Sequence, residues 1–249
     1  MDAVILAGAL NSGSLRAVSS AEYEAAIEIA GRPMLDYVVQ ALKNVAALRR
    51  IVIVGNESAL TPAIREQVSA VIEPGATLID SLIQGLHAIN ATEPVLVATS
   101  DIPLITREAV EDFLSRCRRK DGEIYYSFVP KEQNEAKYPG VQRTYVTLKE
   151  GTFTGGNLAL IDPRVIRDNA PMLRKAALLR KKPWQLCKML GWRYLWKLLW
   201  GRLTIAEIEQ RVTAIFAIKA VGVISPYPEV GIDVDKPSDF RLASEVLSK

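Results

Sequence analysis

Short apolar runs recur through the first half of the chain, each followed by a stretch with helical spacing. The runs fall at 2–7, 50–55, 70–73 and 94–99, and the helical stretches at 34–47, 58–69, 77–90 and 106–119. Ile51-Val-Ile-Val54 and Val95-Leu-Val-Ala98 are apolar at every position, as strands are when helices cover both faces of their sheet. In 34–47 the apolar positions Leu35, Val38, Val39 and Leu42 share one helical face, and Pro33 stands where a first turn tolerates proline. This alternation predicts an α/β fold: three layers, with a mainly parallel mixed sheet between helices.

After about residue 120 the rhythm changes. Two strands are predicted at 123–130 and 143–149, separated by a loop rich in Lys, Glu and Asn. A glycine turn at Gly155-Gly156 then feeds another apolar strand, and 163–213 reads as helices. A last apolar segment covers 214–224, and a closing helix runs to about 247 with Pro237 near its start. The expected layout is one domain over 1–249, with 164–213 as a helical, basic and aromatic insertion.

Composition narrows the chemistry. The chain has 249 residues, 49% apolar and 24% charged, with a net charge of +3, too small to indicate a nucleic-acid partner. Cys117 and Cys187 lack metal-ligand spacing, and His87 is the single histidine, so a zinc site or a Ser-His-Asp triad is not expected. His87 lies in the helical stretch 77–90 and reads as a packed or surface residue. The first residues enter a strand at once, without the pattern of a secretory leader, and the expected location is cytoplasmic.

The candidate chemistry gathers where strands end. Ala3 to Leu6 runs into Ala7-Gly8-Ala9-Leu-Asn-Ser-Gly13-Ser-Leu-Arg16. Small residues let backbone N–H groups close around an anion, and an arginine adds a permanent charge for phosphate. The same stretch also reads as a plain turn. Asp101 follows the 94–99 strand and so belongs at the carboxyl edge of the sheet, where it serves either as a Mg²⁺ ligand beside substrate phosphates or as a turn residue. Ile232-Asp233-Val234-Asp235 sends both acids to one side. Asp233 is the expected ligand and Asp235 the loop support. Gly156 and Asn157 offer close backbone approach plus a donor and an acceptor, or else a bend. Gly75, Thr77 and Ser81 lie where a helix starts after a strand, placed to face a nucleobase or to cap the helix.

In order along the chain, Ile5-Leu-Ala-Gly8 with Arg16, Ile29-Ala-Gly31-Arg-Pro33-Met-Leu35, Asp101-Ile-Pro103-Leu104, Gly156-Asn157 and Ile232-Asp-Val-Asp235-Lys-Pro237-Ser-Asp239 resemble the MobA-like NTP transferases. These are nucleotidyltransferases of the GT-A-like fold. The resemblance implies that an acceptor phosphate attacks the α-phosphorus of an NTP, CTP or GTP, and that pyrophosphate leaves. It places Mg²⁺ on Asp101 and Asp233, and the nucleotide on Leu6, Ala7, Gly8, Ala9, Arg16, Gly75, Ser81 and Asp101. Gly156 and Asn157 fall to the acceptor, a phosphorylated small molecule or a lipid-linked phosphate. Two positions depart from the family pattern: Ala9 replaces a second glycine, and Glu24 stands near the usual lysine. Two other readings therefore stay open, a nucleotide-binding module without turnover and a GT-A glycosyltransferase using a sugar nucleotide.

All four tryptophans, Trp184, Trp192, Trp196 and Trp200, fall in one segment. Basic residues surround them, from Arg164, Arg167, Arg174 and Lys175 through Arg180, Lys181, Lys182 and Lys188 to Arg193, Lys197 and Arg202, against the single acid Asp168. Charges interrupt the apolar run too often for a transmembrane span. The stripe at 192, 196 and 200 fits packing on the core, a homodimer contact through 184–203, or a place at a membrane surface.

Overall fold

The computed structural model describes residues 1–179 and 191–248. Trp184, Cys187, Arg180, Lys181, Lys182 and Lys188 lie outside the described residues. In the first half, β1 (Ala3–Leu6), the short pair β2 (Glu28–Ile29) and β3 (Arg32–Pro33), α1 (Met34–Lys43), β4 (Ile51–Val54), α2 (Pro62–Arg65), β5 (Ala70–Ile72), α3 (Leu78–Ala88), β6 (Val95–Thr99) and α4 (Arg107–Cys117) follow one another. Then come β7 (Ile124–Pro130), α5 (Lys131–Lys137), β8 (Val146–Leu148), β9 (Gly151–Ile161), α6 (Pro163–Leu179), α7 (Trp192–Leu199), α8 (Ile205–Phe216), β10 (Ala220–Ile224) and α9 (Pro237–Leu247).

One sheet runs in the order β10-β7-β9-β6-β1-β4-β5, with β8 paired to β9. β5, β4, β1 and β6 are parallel, while β9 runs against both β6 and β7. Alternate residues serve opposite faces. Ala3, Ile5, Ile51, Ile53, Leu96 and Ala98 pack beneath α1 and α4. Val4, Val52, Val54, Val95 and Val97 pack beneath α3 and α6. That two-sided burial is why these strands are apolar as far as Thr99, the last residue of β6.

Threonines start several helices. Thr61, Thr77, Thr106 and Thr204 each accept the amide hydrogen three residues on, satisfying a donor that has no partner within the helix. Thr61 and Pro62 delay α2, so the predicted helix over 58–69 is a single turn at Glu57–Ala59 followed by a four-residue helix. The β2–β3 hairpin was not predicted. It turns through Ala30 and Gly31, both at positive φ (50° and 79°), a shape suited to a two-residue hairpin loop.

The glycine turn expected at Gly155-Gly156 is corrected: both glycines lie inside β9, an eleven-residue strand. The β7–β9 register shifts between Tyr126 and Phe128, which brings Ser127 against Gly156. A Cβ on Gly156 would sit 2.2 Å from Ser127 Oγ and 2.8 Å from Val230 Cγ1. Close strand approach, not a bend, requires glycine there. The expected strand at 143–149 shortens to β8, and 214–224 divides between the end of α8 and β10.

Candidate active site

The strand order places a crevice. From β1 the chain moves to β4 and β5 on one side, then crosses to β6 on the other. Ligands of open α/β sheets bind at the carboxyl ends of the strands flanking such a switch point. β1 and β6 are in register there, with Leu6 opposite Thr99, so the 7–16 loop and the loop bearing Asp101 leave side by side.

A separate apolar cluster fastens the site segments to one another. It joins Leu15 of the first loop, Leu104 of the Asp101 loop, and Ile232 and Val234, which flank Asp233. The amide of Val234 donates to the carbonyl of Asp101 at 2.8 Å, and Ser14 Oγ donates to the carbonyl of Asp235 at 2.9 Å. With Ile232 and Val234 turned inward, Asp233 and Asp235 turn the other way, toward Asp101. One carboxylate oxygen from each of Asp101, Asp233 and Asp235 lies within 4.8 Å of the others. Asp235, expected as loop support, thus joins the cluster itself.

Three carboxylates at this spacing repel one another. Asp101 responds most. Burial, then the charge of Asp233, pushes its carboxyl up to about 7. Asp233 is also raised, by burial, against the lowering pull of Arg143. Sequence reasoning passed over Arg143, a buried cation whose Nη1 lies 2.9 Å from Asp233 Oδ1 and 3.4 Å from Asp239 Oδ2. Its Nη2 also donates to the Asp233 carbonyl at 2.6 Å. Arg143 opens the stretch 143–149 that is expected as a strand, and in the structure it lies in the loop ahead of β8, where it meets Asp233 and Asp239.

The donors fit a hard divalent cation. Asp101 Oδ1 is buried with no hydrogen-bond partner among the described residues, a state that costs free energy unless a proton or a cation meets it. All three candidate donor atoms are carboxylate oxygens, the type Mg²⁺ takes together with substrate phosphates.

The other candidate residues sit around this cluster. Ala7 is buried, its amide donating to the Val54 carbonyl at 2.7 Å. Gly8 presses on Pro74, where a Cβ would come within 2.6 Å. Leu6 is partly buried on the sheet, whereas Ala9 is exposed. Arg16 is exposed in a short helical turn and donates to the Ser20 carbonyl at 3.2 Å. Glu24 comes to the same loop, its amide donating to the Ala9 carbonyl at 3.0 Å. Ser81 is buried and its hydroxyl accepts the Gly75 amide at 3.0 Å, so it braces the turn that follows β5. Asn157 continues β9 one residue past the Ala98–Leu158 pair, level with Thr99, and its side chain donates to the Val230 carbonyl at 3.4 Å. His87 is exposed at the end of α3.

Against this geometry stand the relatives. Residues 3–194 match the MobA-like NTP transferase domain. The chain belongs to this family. The matched span includes Asp101 and stops short of Asp233 and Asp235. A solved structure described as a hypothetical transferase from Thermus thermophilus is 39% identical, superimposes with a TM-score of 0.83, and covers 96% of this chain and 98% of its own.

Two more distant structures share the fold. One is a CMP:2-keto-3-deoxy-manno-octonic acid synthetase complexed with CTP, at 16% identity and TM-score 0.59 over 100% of this chain and 99% of that one. The other is a 2-C-methyl-D-erythritol 4-phosphate cytidylyltransferase from Thermus thermophilus, at 16% identity and TM-score 0.56 over 99% and 98%. A comparison with curated proteins gives no match. Membership of the MobA-like family places the chain among the nucleotidyltransferases, with the mixed, mostly parallel sheet of the GT-A-like fold.

Proposed function

We propose that this MobA-like protein transfers a nucleotidyl group from an NTP to a phosphorylated acceptor and releases pyrophosphate. The observation that carries the reading is the convergence of Asp101, Asp233 and Asp235 at the switch point, beside a small-residue loop. In the reaction an acceptor phosphate oxygen bonds to the α-phosphorus as the bond from that phosphorus to the pyrophosphate oxygen breaks. A phosphate monoester has its second pKa near 6, so at neutral pH the nucleophile arrives deprotonated and needs no protein base. That suits a site whose single histidine is exposed and far along α3.

What remains is positioning and charge. The backbone of Gly8 and Ala9 with Arg16 takes the triphosphate, and Gly75 borders the base. Asp101 and Asp233, with Asp235 beside them, would hold Mg²⁺, which supplies charge neutralisation of the phosphate oxygens. Arg143 keeps the Asp233 segment in place by its contacts to that residue's carboxylate and carbonyl. Asn157 lies on the acceptor side, at the β9 edge. The neighbours that act with cytidine nucleotides favour CTP as the donor.

One observation favours a second reading, a nucleotide binder without turnover: Glu24, an acidic residue, is tied by its backbone amide to the loop proposed for the triphosphate. A thermal-shift panel of CTP, GTP, ATP and UTP with Mg²⁺, followed by pyrophosphate release with phosphorylated acceptors, separates the two. Stabilisation by one NTP with pyrophosphate release supports transfer. Stabilisation without release from any acceptor supports the binder, and no stabilisation by any NTP refutes both.

A further inference from the structure

The α7 helix buries the wrong face for a tryptophan stripe meant for the core. Its inner side is Leu195 and Leu198, packed with Leu148, Phe153 and Leu203. Trp192, Trp196, Leu199 and Trp200 are left 65, 47, 50 and 65% exposed. The indoles form a row, Trp192 to Trp196 at 5.7 Å and Trp196 to Trp200 at 6.4 Å between ring centres, each meeting the next edge to face. Exposed apolar side chains collected in one patch mark an interaction surface.

Charge narrows what covers it. Residues 191–203 contain Arg193, Lys197 and Arg202 and no acid. Beside the row runs a groove lined by Lys149, Trp196, Lys197, Trp200 and Arg202. The Arg202 guanidinium lies 5.6 Å from the Trp200 ring centre, and Lys197 also meets Glu207. We propose that α7 seats the protein on an anionic membrane surface, indoles at the headgroup level and the cations against lipid phosphates. A second copy fits poorly, because a two-fold interface would set these like charges against themselves. Single-stranded nucleic acid stacks on parallel ring faces along a charged groove, whereas these indoles meet one another edge to face and turn their planes across the row. Beneath the helix lies a cavity of about 260 Å³ bounded by Phe128, Leu148, Phe153, Leu198, Ile205 and Ile208. Tyr126 and Glu209 also border it, and the rest of the lining is apolar, of a kind that admits an alkyl chain.

The position of α7 links it to the site. β9 runs against β6 and β7, so its first residues extend beyond the carboxyl end of β6, the edge where Asp101 lies. β8 pairs with those residues, and α7 rests on Leu148 and Phe153 from this hairpin. The seat and the carboxylate cluster therefore belong to the same edge of the sheet. Resting on the transfer reading in this respect alone, the acceptor is a phosphate carried by a lipid.

Sedimentation of the full chain with vesicles tests the seat. We expect it to pellet with vesicles containing phosphatidylglycerol and to bind pure phosphatidylcholine at least about ten-fold less, with release at about 0.5 M salt. Trp192→Ser/Trp196→Ser/Trp200→Ser should lower partitioning at least about ten-fold while keeping any NTP-induced thermal shift. The proposal is overturned if the parent stays in the supernatant, or if the triple variant pellets as the parent does. It is also overturned if light scattering finds a lipid-free dimer that the variant loses, or if the tryptophans govern retention by an oligonucleotide and not by vesicles. Should the variant misfold by circular dichroism, brominated phosphatidylglycerol decides on the parent chain: quenched indole emission supports the seat, and unquenched emission overturns it. Nucleotide-induced stabilisation is read without vesicles, so either reading can fail alone.

Discussion

Replacing Asp101 by asparagine should make the metal-free protein more stable, and more so as pH rises. In the folded chain this carboxyl titrates at about 7, against an ordinary value of 3.8. Between those limits the folded state holds a proton that the unfolded state has released, so stability falls as pH climbs from about 4 to about 7. Above 7 the whole penalty is present. At 1.36 kcal/mol per pH unit, the gap amounts to on the order of 4 kcal/mol. Asparagine has the same shape and no charge, and its amide can donate toward Asp233 and Asp235.

The assay is urea unfolding followed by far-ultraviolet circular dichroism at pH 5, 6, 7 and 8, with EDTA and with millimolar Mg²⁺. In EDTA the variant should exceed the parent by a margin that grows to about 2–4 kcal/mol at pH 8 and shrinks toward pH 5. Mg²⁺ should stabilise the parent at pH 8 and leave Asp101→Asn nearly unmoved. A variant less stable than the parent at pH 8 in EDTA, or a margin that does not depend on pH, refutes the electrostatic account of the cluster.

Other substitutions probe the neighbouring supports. Arg143→Met leaves Asp239, almost wholly buried, without its guanidinium; a loss of about 3–5 kcal/mol in urea unfolding is expected, and an unchanged midpoint would show the pair to be unimportant. Gly156→Ala forces a methyl group onto Ser127 Oγ and Val230, which should lower stability by about 1–3 kcal/mol, while the same change at Gly13, open on all sides, should cost less than about 1 kcal/mol. Glu24→Lys reverses a charge beside the Ala9 loop; isothermal titration should find NTP bound at least about ten-fold tighter at low salt, with the gain fading as salt rises. Equal affinity in parent and variant would remove Glu24 from the phosphate site.

The sequence made the parallel half of the sheet legible because burial on both faces leaves its strands uniformly apolar. Ile51–Val54 and Val95–Ala98 could hardly read as anything else. β9 misled for the opposite reason: Gly155 and Gly156 look like a break, and the demand for glycine comes from Ser127 and Val230, which approach only in the folded sheet. β2 and β3 are two residues each, too short to carry a period. At the site, Asp101 was visible as the acid after a buried strand, and the spacing of Asp233 and Asp235 already put both on one side. Preferring one of them as ligand used their distance from the helix start, which says less than the inward turn of Ile232 and Val234. Arg143 had no local signal, since a buried cation in a polar loop is recognised only through the acids that surround it.

The cluster explains why three distant segments must fold together before any cation site exists. Leu15, Leu104, Ile232 and Val234 come from separate parts of the chain and meet in one apolar group, so burial supplies the attraction that the acids oppose. An apolar side chain fully buried contributes roughly 1.5–3 kcal/mol, the same order as the electrostatic penalty of about 4 kcal/mol at Asp101. Packing of this kind fixes the spacing of the carboxylates, and a cation that binds them would have less reorganisation to drive. Loosening the apolar group, as Leu104→Ala would, should therefore let the acids separate and relax Asp101 toward its ordinary value, coupling a hydrophobic contact to the chemistry at the edge of the sheet.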